Sequence, residues 1–187
     1  MAAASQGTEG AAVIPLRTAS AAPEGWTARY REHAPAFLGF LTRLCGNPTD
    51  AEDIAQEAFL IAYARMERIP ADRLGAFLRG VGVRKVQHLL RRRQLAIRLG
   101  LCSGEPEVDV AHAGASPEQL AELARLFAAL RSLDAAARVA WSLRRIEGYT
   151  VEEAARAVGC SPATLKRRVQ IGDRVVAARV DAGGAQP

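Results

Sequence analysis

Asp50, Asp53, Gln56 and Glu57 are the first side chains whose types and spacing suggest a chemistry. They lie in Asp50-Ala51-Glu52-Asp53-Ile54-Ala55-Gln56-Glu57, which holds four acids and no base. On a helix, Asp50, Asp53 and Glu57 fall at i, i+3 and i+7, and Gln56 borders their stripe. That face is opposite the apolar positions Ile54, Ala58, Ile61 and Ala62. The helix macrodipole favours acids in the first turn, which accounts for Asp50 to Asp53 but poorly for Glu57. Asp53 and Glu57 could form a pair of acid–base carboxylates, but nothing around them implies a shaped cleft. The chemistry left is the grip of a basic partner surface.

A second set is basic. Arg79, Arg84, Lys85, Arg91, Arg92, Arg93 and Arg98 follow one another with no acid among them. Val83, Val86 and Leu90 share one helical face, and Arg84, His88 and Arg91 share another. A solvated surface helix normally mixes both signs. A single-sign stripe points to phosphate contacts.

The most specific local signal is in the second half. Thr150-Val151-Glu152-Glu153 is a capping box. The short helix it starts carries Val151, Ala154, Ala155 and Val158 on one face, and Gly159 is a natural left-handed terminator. Ser161 and Pro162 then restart a helix as N-cap and first helical residue. Two short helices about a tight glycine turn make a helix-turn-helix. In that motif the second helix enters the major groove with its N-terminal residues toward the bases. Here it presents Thr164, Lys166, Arg167 and Arg168, while Leu165, Val169 and Gly172 face inward. Ser161 fixes where the helix starts, and Arg174 lies further along as a phosphate contact. An ordinary helical hairpin with a basic solvated face would share the pattern. The placing of the bases on the second helix, not the first, favours DNA.

Two helical blocks must position these sets. Block one runs over 26–99: Asn47-Pro48-Thr49-Asp50 signals a turn and N-cap, Pro70 falls at or after a helix end, and a helix beginning near Leu74 runs into the arginines. Block two runs over 118–180, with Leu123, Leu126, Phe127, Leu130 and Leu133 at helical spacing and Asp134 as the next cap. The segment 100–117 is rich in Gly, Ser, Pro and acid and reads as a flexible linker. Residues 1–25 and 181–187 read as tails. The fold class expected is all-α: two small helical domains that move independently.

Composition agrees. The 187 residues are 49% hydrophobic and 5% aromatic, with a net charge of +5, which suits small helical cores and a polyanionic partner. Cys45, Cys102 and Cys160 are odd in number and widely spaced, and no C-x-x-C occurs. A disulfide framework and a metal site are therefore not expected, and a reduced, cytoplasmic setting fits. The N-terminus lacks a signal-peptide pattern, and no stretch approaches the ~20 apolar residues of a membrane span.

Asp50-Ala51-Glu52-Asp53-Ile54-Ala55-Gln56-Glu57-Ala58-Phe59 resembles the polymerase-binding part of region 2 in sigma-70-type factors. Asp53, Gln56 and Glu57 match the positions that face the clamp helices of the largest polymerase subunit. Ala76-Phe77-Leu78 through Arg93 resembles the part that melts and reads the −10 element. Glu147-Gly148-Tyr149-Thr150 through Lys166 resembles region 4, which reads the −35 element. Their order, with the linker between, resembles the extracytoplasmic-function group. The resemblance implies a transcription initiation factor with no catalysis and no cofactor. Its partners would be core RNA polymerase, promoter DNA and an anti-sigma factor, with no membrane insertion. It places −10 contacts at Phe77, Arg84, Lys85, His88, Arg91, Arg92 and Arg93. It places −35 contacts at Ser161, Thr164, Lys166, Arg167, Arg168 and Arg174. Three positions depart from the family pattern. Phe77 stands for a usual Trp, Arg84 and His88 for Asn and Asp, and Ile171-Gly172-Asp173 for Arg-Ala-Arg.

Other classes explain less. A helix-turn-helix regulator that does not engage polymerase leaves the acidic helix idle. An enzyme would need a motif such as a Gly-rich phosphate loop, G-x-S-x-G or H-E-x-x-H, and none is present. A purely protein-binding helical module leaves both basic sets unexplained.

Overall fold

The computed structural model describes residues 25–101 and 116–183. The expected first tail up to Glu24, most of the linker, with Cys102 in it, and residues 184–187 lie outside them. Among the described residues the regular structure is helical. It comprises α1 (Trp26–Cys45), α2 (Pro48–Tyr63), α3 (Leu74–Arg98), α4 (Pro117–Arg131), α5 (Ala135–Arg145), α6 (Val151–Val158) and α7 (Pro162–Gly183). Two single 3-10 turns, Met66–Arg68 and Ala71–Arg73, carry the chain past Pro70. α7 continues past the expected end at Val180, because no proline or cap residue intervenes before Gly183.

Local signals set the starts. Asn47 is extended and its side-chain oxygen accepts from Asp50 N at 3.1 Å, with Pro48 in the first turn of α2. Asp134 Oδ1 accepts from the amides of Ala136 and Ala137 at the start of α5. In block one, α1 to α3 close around Phe37, Phe40, Leu41, Phe59, Leu78, Val83, Val86 and Leu90, all buried. Truncating one such residue typically costs about 2–5 kcal/mol. Cys45 belongs to this core, and burial pushes its thiol up to about 11, so it packs as an inert apolar residue. In block two, α5 is central: Ala135 through Leu143 are all buried.

The two blocks, expected from the linker composition to move independently, are in contact in this structure. One apolar cluster runs through both, and polar groups close the seam. Arg138 of α5 is 1% exposed and donates to Cys45 O at 2.8 Å. The Gln94 amide of α3 donates to Leu133 O at 2.8 Å and accepts from Ala135 N at 3.1 Å. Arg43 of α1 donates twice to Glu147, at 2.6 and 3.1 Å. Phe40 stacks on Tyr149 with ring centroids 6.5 Å apart. These partners lie far apart in sequence, so helical periodicity does not reveal them.

The seam predicts a charge-swap result. Glu147→Arg should enlarge the radius of gyration measured by small-angle scattering, and adding Arg43→Glu should reduce it again. Arg43 is half-exposed but the Glu147 side chain is only 8% exposed, so the pair is worth about 1 kcal/mol, the upper end for surface pairs, and the open population should rise several-fold. Equal radii in the wild type, both single variants and the double variant would show that this pair does not hold the blocks together.

Candidate functional site

α2 presents its polar side outward as its spacing demands. Asp53, Gln56 and Glu57 are exposed, while Ile54, Ala55, Ala58 and Phe59 are buried. Asp50 differs from the expected solvent-facing acid. It is half-buried, and Arg93 of α3 donates to both its oxygens, at 2.5 and 2.7 Å. Glu57 pairs with Lys85 of α3. The acidic and basic helices therefore lie side by side and partly neutralise each other. What remains free of α3 on this face is Asp53 and Gln56, with Glu57 at the border.

On α3, Arg84, His88, Arg91 and Arg92 are exposed, and Lys85 is half-buried. Arg93 is the correction. It was expected among the −10 contacts, yet it turns onto Asp50 with only 24% of its side chain exposed. Two positions from Arg91 on a helix is about 200° of rotation, so it faces its own block. Phe77 is half-buried against the core.

The helix-turn-helix is built as its caps predict. Thr150 Oγ1 accepts from Glu153 N at 3.2 Å, and Glu153 accepts from Thr150 N at 2.8 Å. That hydrogen bonding holds the Glu153 carboxyl below its usual range. Gly159 sits at φ 72°, a left-handed turn that L side chains rarely adopt, and Cys160 N reaches back to Ala155 O at 3.0 Å. Ser161 Oγ accepts from Thr164 N at 3.2 Å, and the two hydroxyls lie 2.9 Å apart. Both hydroxyls are thus engaged in starting α7. Ala154, Ala155 and Val158 of α6 and Leu165 and Val169 of α7 are buried, which leaves Lys166 and Arg167 exposed and Arg168 half-buried. Arg174 is exposed, its Nε 3.4 Å from Gln170 O.

Spacing passed over Leu60, and it did not show the partners that Arg79 and Asp173 take. Leu60 is 44% exposed and stands at i+7 from Asp53, i+4 from Gln56 and i+3 from Glu57. It extends their strip with an apolar contact, and the helical wheel carries that signal. Arg79 lies over the Phe40 ring at 5.6 Å. Asp173 accepts from Trp141 Nε1 at 3.0 Å and from both Arg145 Nε and Nη2, at 3.0 and 2.7 Å. Among the described residues no cluster of His, Cys, Asp and Glu suits a metal ion.

An outward acidic strip, a basic helix beside it and a capped helix-turn-helix are the parts of a protein that joins another protein to DNA. The chain matches the family models for sigma-70 region 2 over residues 29–96 and sigma-70 region 4 over residues 123–170. It is 33% identical over 142 residues to the RNA polymerase sigma-E factor of Streptomyces coelicolor, covering 73% of this chain and 75% of that protein. It is 29% identical over 168 residues to the ECF RNA polymerase sigma factor SigE of Mycolicibacterium smegmatis, covering 87% of this chain but only 64% of SigE. The sigma factor RpoE of Bartonella quintana, solved with the anti-sigma factor NepR, shares the fold. The TM-score is 0.64 at 22% identity, covering 84% of this chain and 98% of that one. The chain belongs to the extracytoplasmic-function group of the sigma-70 family. The region 2 match accounts for the block that a simple helix-turn-helix regulator would leave unexplained.

The Asp50–Arg93 pair separates two neighbouring arginines. Arg93→Ala leaves a partly buried carboxylate without its partner and should destabilise the protein by roughly 1–3 kcal/mol in urea melts. Arg92→Ala should stay within about 0.5 kcal/mol of wild type. It should instead reduce the salt slope of promoter binding by about 0.7–0.9, the loss of one phosphate contact. Equal stability of the two variants would contradict this division of roles.

Proposed function

We propose that this sigma factor directs core RNA polymerase to promoters through three surfaces. Asp53, Gln56 and Glu57, extended by Leu60, meet a basic surface of the polymerase. Arg84, His88, Arg91 and Arg92, with Lys85 at their edge, track the −10 DNA, while Phe77 supports the start of α3. Thr164, Lys166 and Arg167 at the tip of α7 read the −35 element, started by Ser161, with Arg168 and Arg174 on phosphates. Asp50 and Arg93 hold α2 and α3 together instead of contacting a partner. The observation that carries this reading is the pairing of an outward acidic strip with a single-sign basic stripe on adjacent helices, in a chain that also holds a helix-turn-helix.

In this reading 26–99 serves polymerase and the −10 element, 118–180 serves the −35 element, and 100–117 connects them. The protein acts in the cytoplasm, makes and breaks no bond itself, and needs no cofactor. Among the described residues no helix is long and apolar enough to cross a membrane. An anti-sigma factor is a further partner, as one is for the Bartonella protein.

Run-off transcription with core polymerase on genomic fragments tests the reading. The wild type should give discrete transcripts that core alone does not. Asp53→Lys with Gln56→Lys should lower core affinity about tenfold or more, because like charges set against each other cost several kcal/mol. Circular dichroism should not change, since both side chains are exposed. Unchanged core affinity with an intact fold would sink the assignment of this strip.

A further inference from the structure

α7 carries one acid between Pro162 and Arg179, among Lys166, Arg167, Arg168, Arg174 and Arg179. A carboxylate there opposes the phosphate backbone that the other charges attract. Asp173 is nevertheless the most heavily used polar side chain on the helix. Its Oδ1 accepts from Trp141 Nε1 and from Arg145 Nε, and its Oδ2 accepts from Arg145 Nη2 at 2.7 Å. Trp141 is 7% exposed, so its indole N–H has lost water and must find a partner within the protein. Arg145 beside it, and then the Trp141 N–H, hold the Asp173 carboxyl below the usual range.

The neighbouring glycine belongs to the same arrangement. A Cβ at Gly172 would lie 2.4 Å from Trp141 Cδ1 and 2.8 Å from Cγ, closer than any real contact. The buried ring cannot give way, so α7 can rest on Trp141 only because residue 172 has no side chain. Trp141, Arg145, Gly172 and Asp173 together tie α5 to α7 about three turns beyond the helix tip that faces DNA. A rotation or slide of α7 there would move the side chains at its start.

We infer that Asp173 is a positioning residue for base reading: with Trp141 and Gly172 it fixes the angle at which the α7 tip meets the −35 groove. The inference rests on the helix-turn-helix reading above and deepens it. It also explains why Ile171-Gly172-Asp173 departs from a basic pattern. The position gives up an attraction for phosphate in exchange for a fixed axis.

Holoenzyme made with full-length Asp173→Ala, Asp173→Asn and Trp141→Phe tests this by selection from promoters randomised at −35, alongside affinity for non-specific duplex. Asp173→Ala removes a negative charge from a basic helix, so electrostatics alone would strengthen binding to every sequence with preference unchanged. Positioning gives a different signature. Non-specific affinity should hold or rise, while enrichment of the preferred sequence falls about fivefold or more, the low end of one base contact. Trp141→Phe keeps all charges and should lose preference with non-specific affinity unchanged. Asp173→Asn keeps an acceptor for Trp141 and should retain more preference than Asp173→Ala. If Asp173→Ala lowers helicity, Trp141→Phe decides the matter. Wild-type preference in both Asp173→Ala and Trp141→Phe overturns the positioning role while leaving sigma activity in run-off assays intact. A wild type with no −35 preference overturns this role and the reading of the −35 element together.

Discussion

Arg138 is the interaction on which the arrangement of the molecule depends. Among the described residues it is the largest fully buried side chain, and it points from the central helix of block two to the last carbonyl of α1, at 2.8 Å from Cys45 O. A guanidinium is expensive to take out of water unless hydrogen bonds replace the water. The carbonyl end of a helix suits it, because orphan acceptors and the negative end of the macrodipole gather there. The placement works in one direction only. With α1 in position the cation is accommodated. With the blocks apart, the cation and the carbonyl must both return to water. Gln94 repeats the device at the other end of the seam, where its amide satisfies an acceptor before Asp134 and a donor after it.

The second constraint is charge neutralisation inside block one. Read separately, α2 is an acidic helix and α3 a basic one. Packed side by side, they spend Asp50 on Arg93 and Glu57 on Lys85. The partly buried bidentate pair is the stronger of the two, since exposed pairs such as Glu57–Lys85 contribute little. The consequence is selective. Arg84, His88, Arg91 and Arg92 keep their exposure on one side of α3, and Asp53 and Gln56 keep theirs on the far side of α2. Internal pairing thus divides two charged helices into two separate outward surfaces of opposite sign.

Which parts were legible beforehand follows from sequence distance. Every cap read from the sequence joins groups two or three residues apart: Asn47 to Asp50, Asp134 to Ala137, Thr150 to Glu153, Ser161 to Thr164. Such contacts need only helical geometry, so residue order suffices to find them. The apolar faces of α2, α3 and α6 were legible for the same reason. Arg93–Asp50 spans 43 positions, Arg138–Cys45 spans 93 and Arg43–Glu147 spans 104. Many arginines and acids are equivalent on paper, and only the packing chooses among them. Arg93 was therefore grouped with Arg91 and Arg92 by adjacency, although two residues of helical rotation turn it the other way. Asp173 was read only as a lost base, because its partners Trp141 and Arg145 lie about thirty residues upstream on another helix.

These constraints act on one another through α5. Arg138 near its start holds it to α1, and Trp141 and Arg145 near its end hold α7 through Asp173. The orientation of the helix-turn-helix is thus set relative to α5, while the position of α5 relative to α3 is set by the seam. The two kinds of joint differ in strength. Within block two, α7 rests on a buried indole with no room for a Cβ, a close-packed contact that tolerates little displacement. Across the seam, ion-pair and amide contacts that water can replace lie beside the apolar cluster shared by both blocks, so parting the blocks exposes apolar surface as well. A partner that needs the blocks at another spacing can part the seam and still meet an unchanged recognition helix. Its apparent affinity is then scaled down by the fraction of molecules that are open.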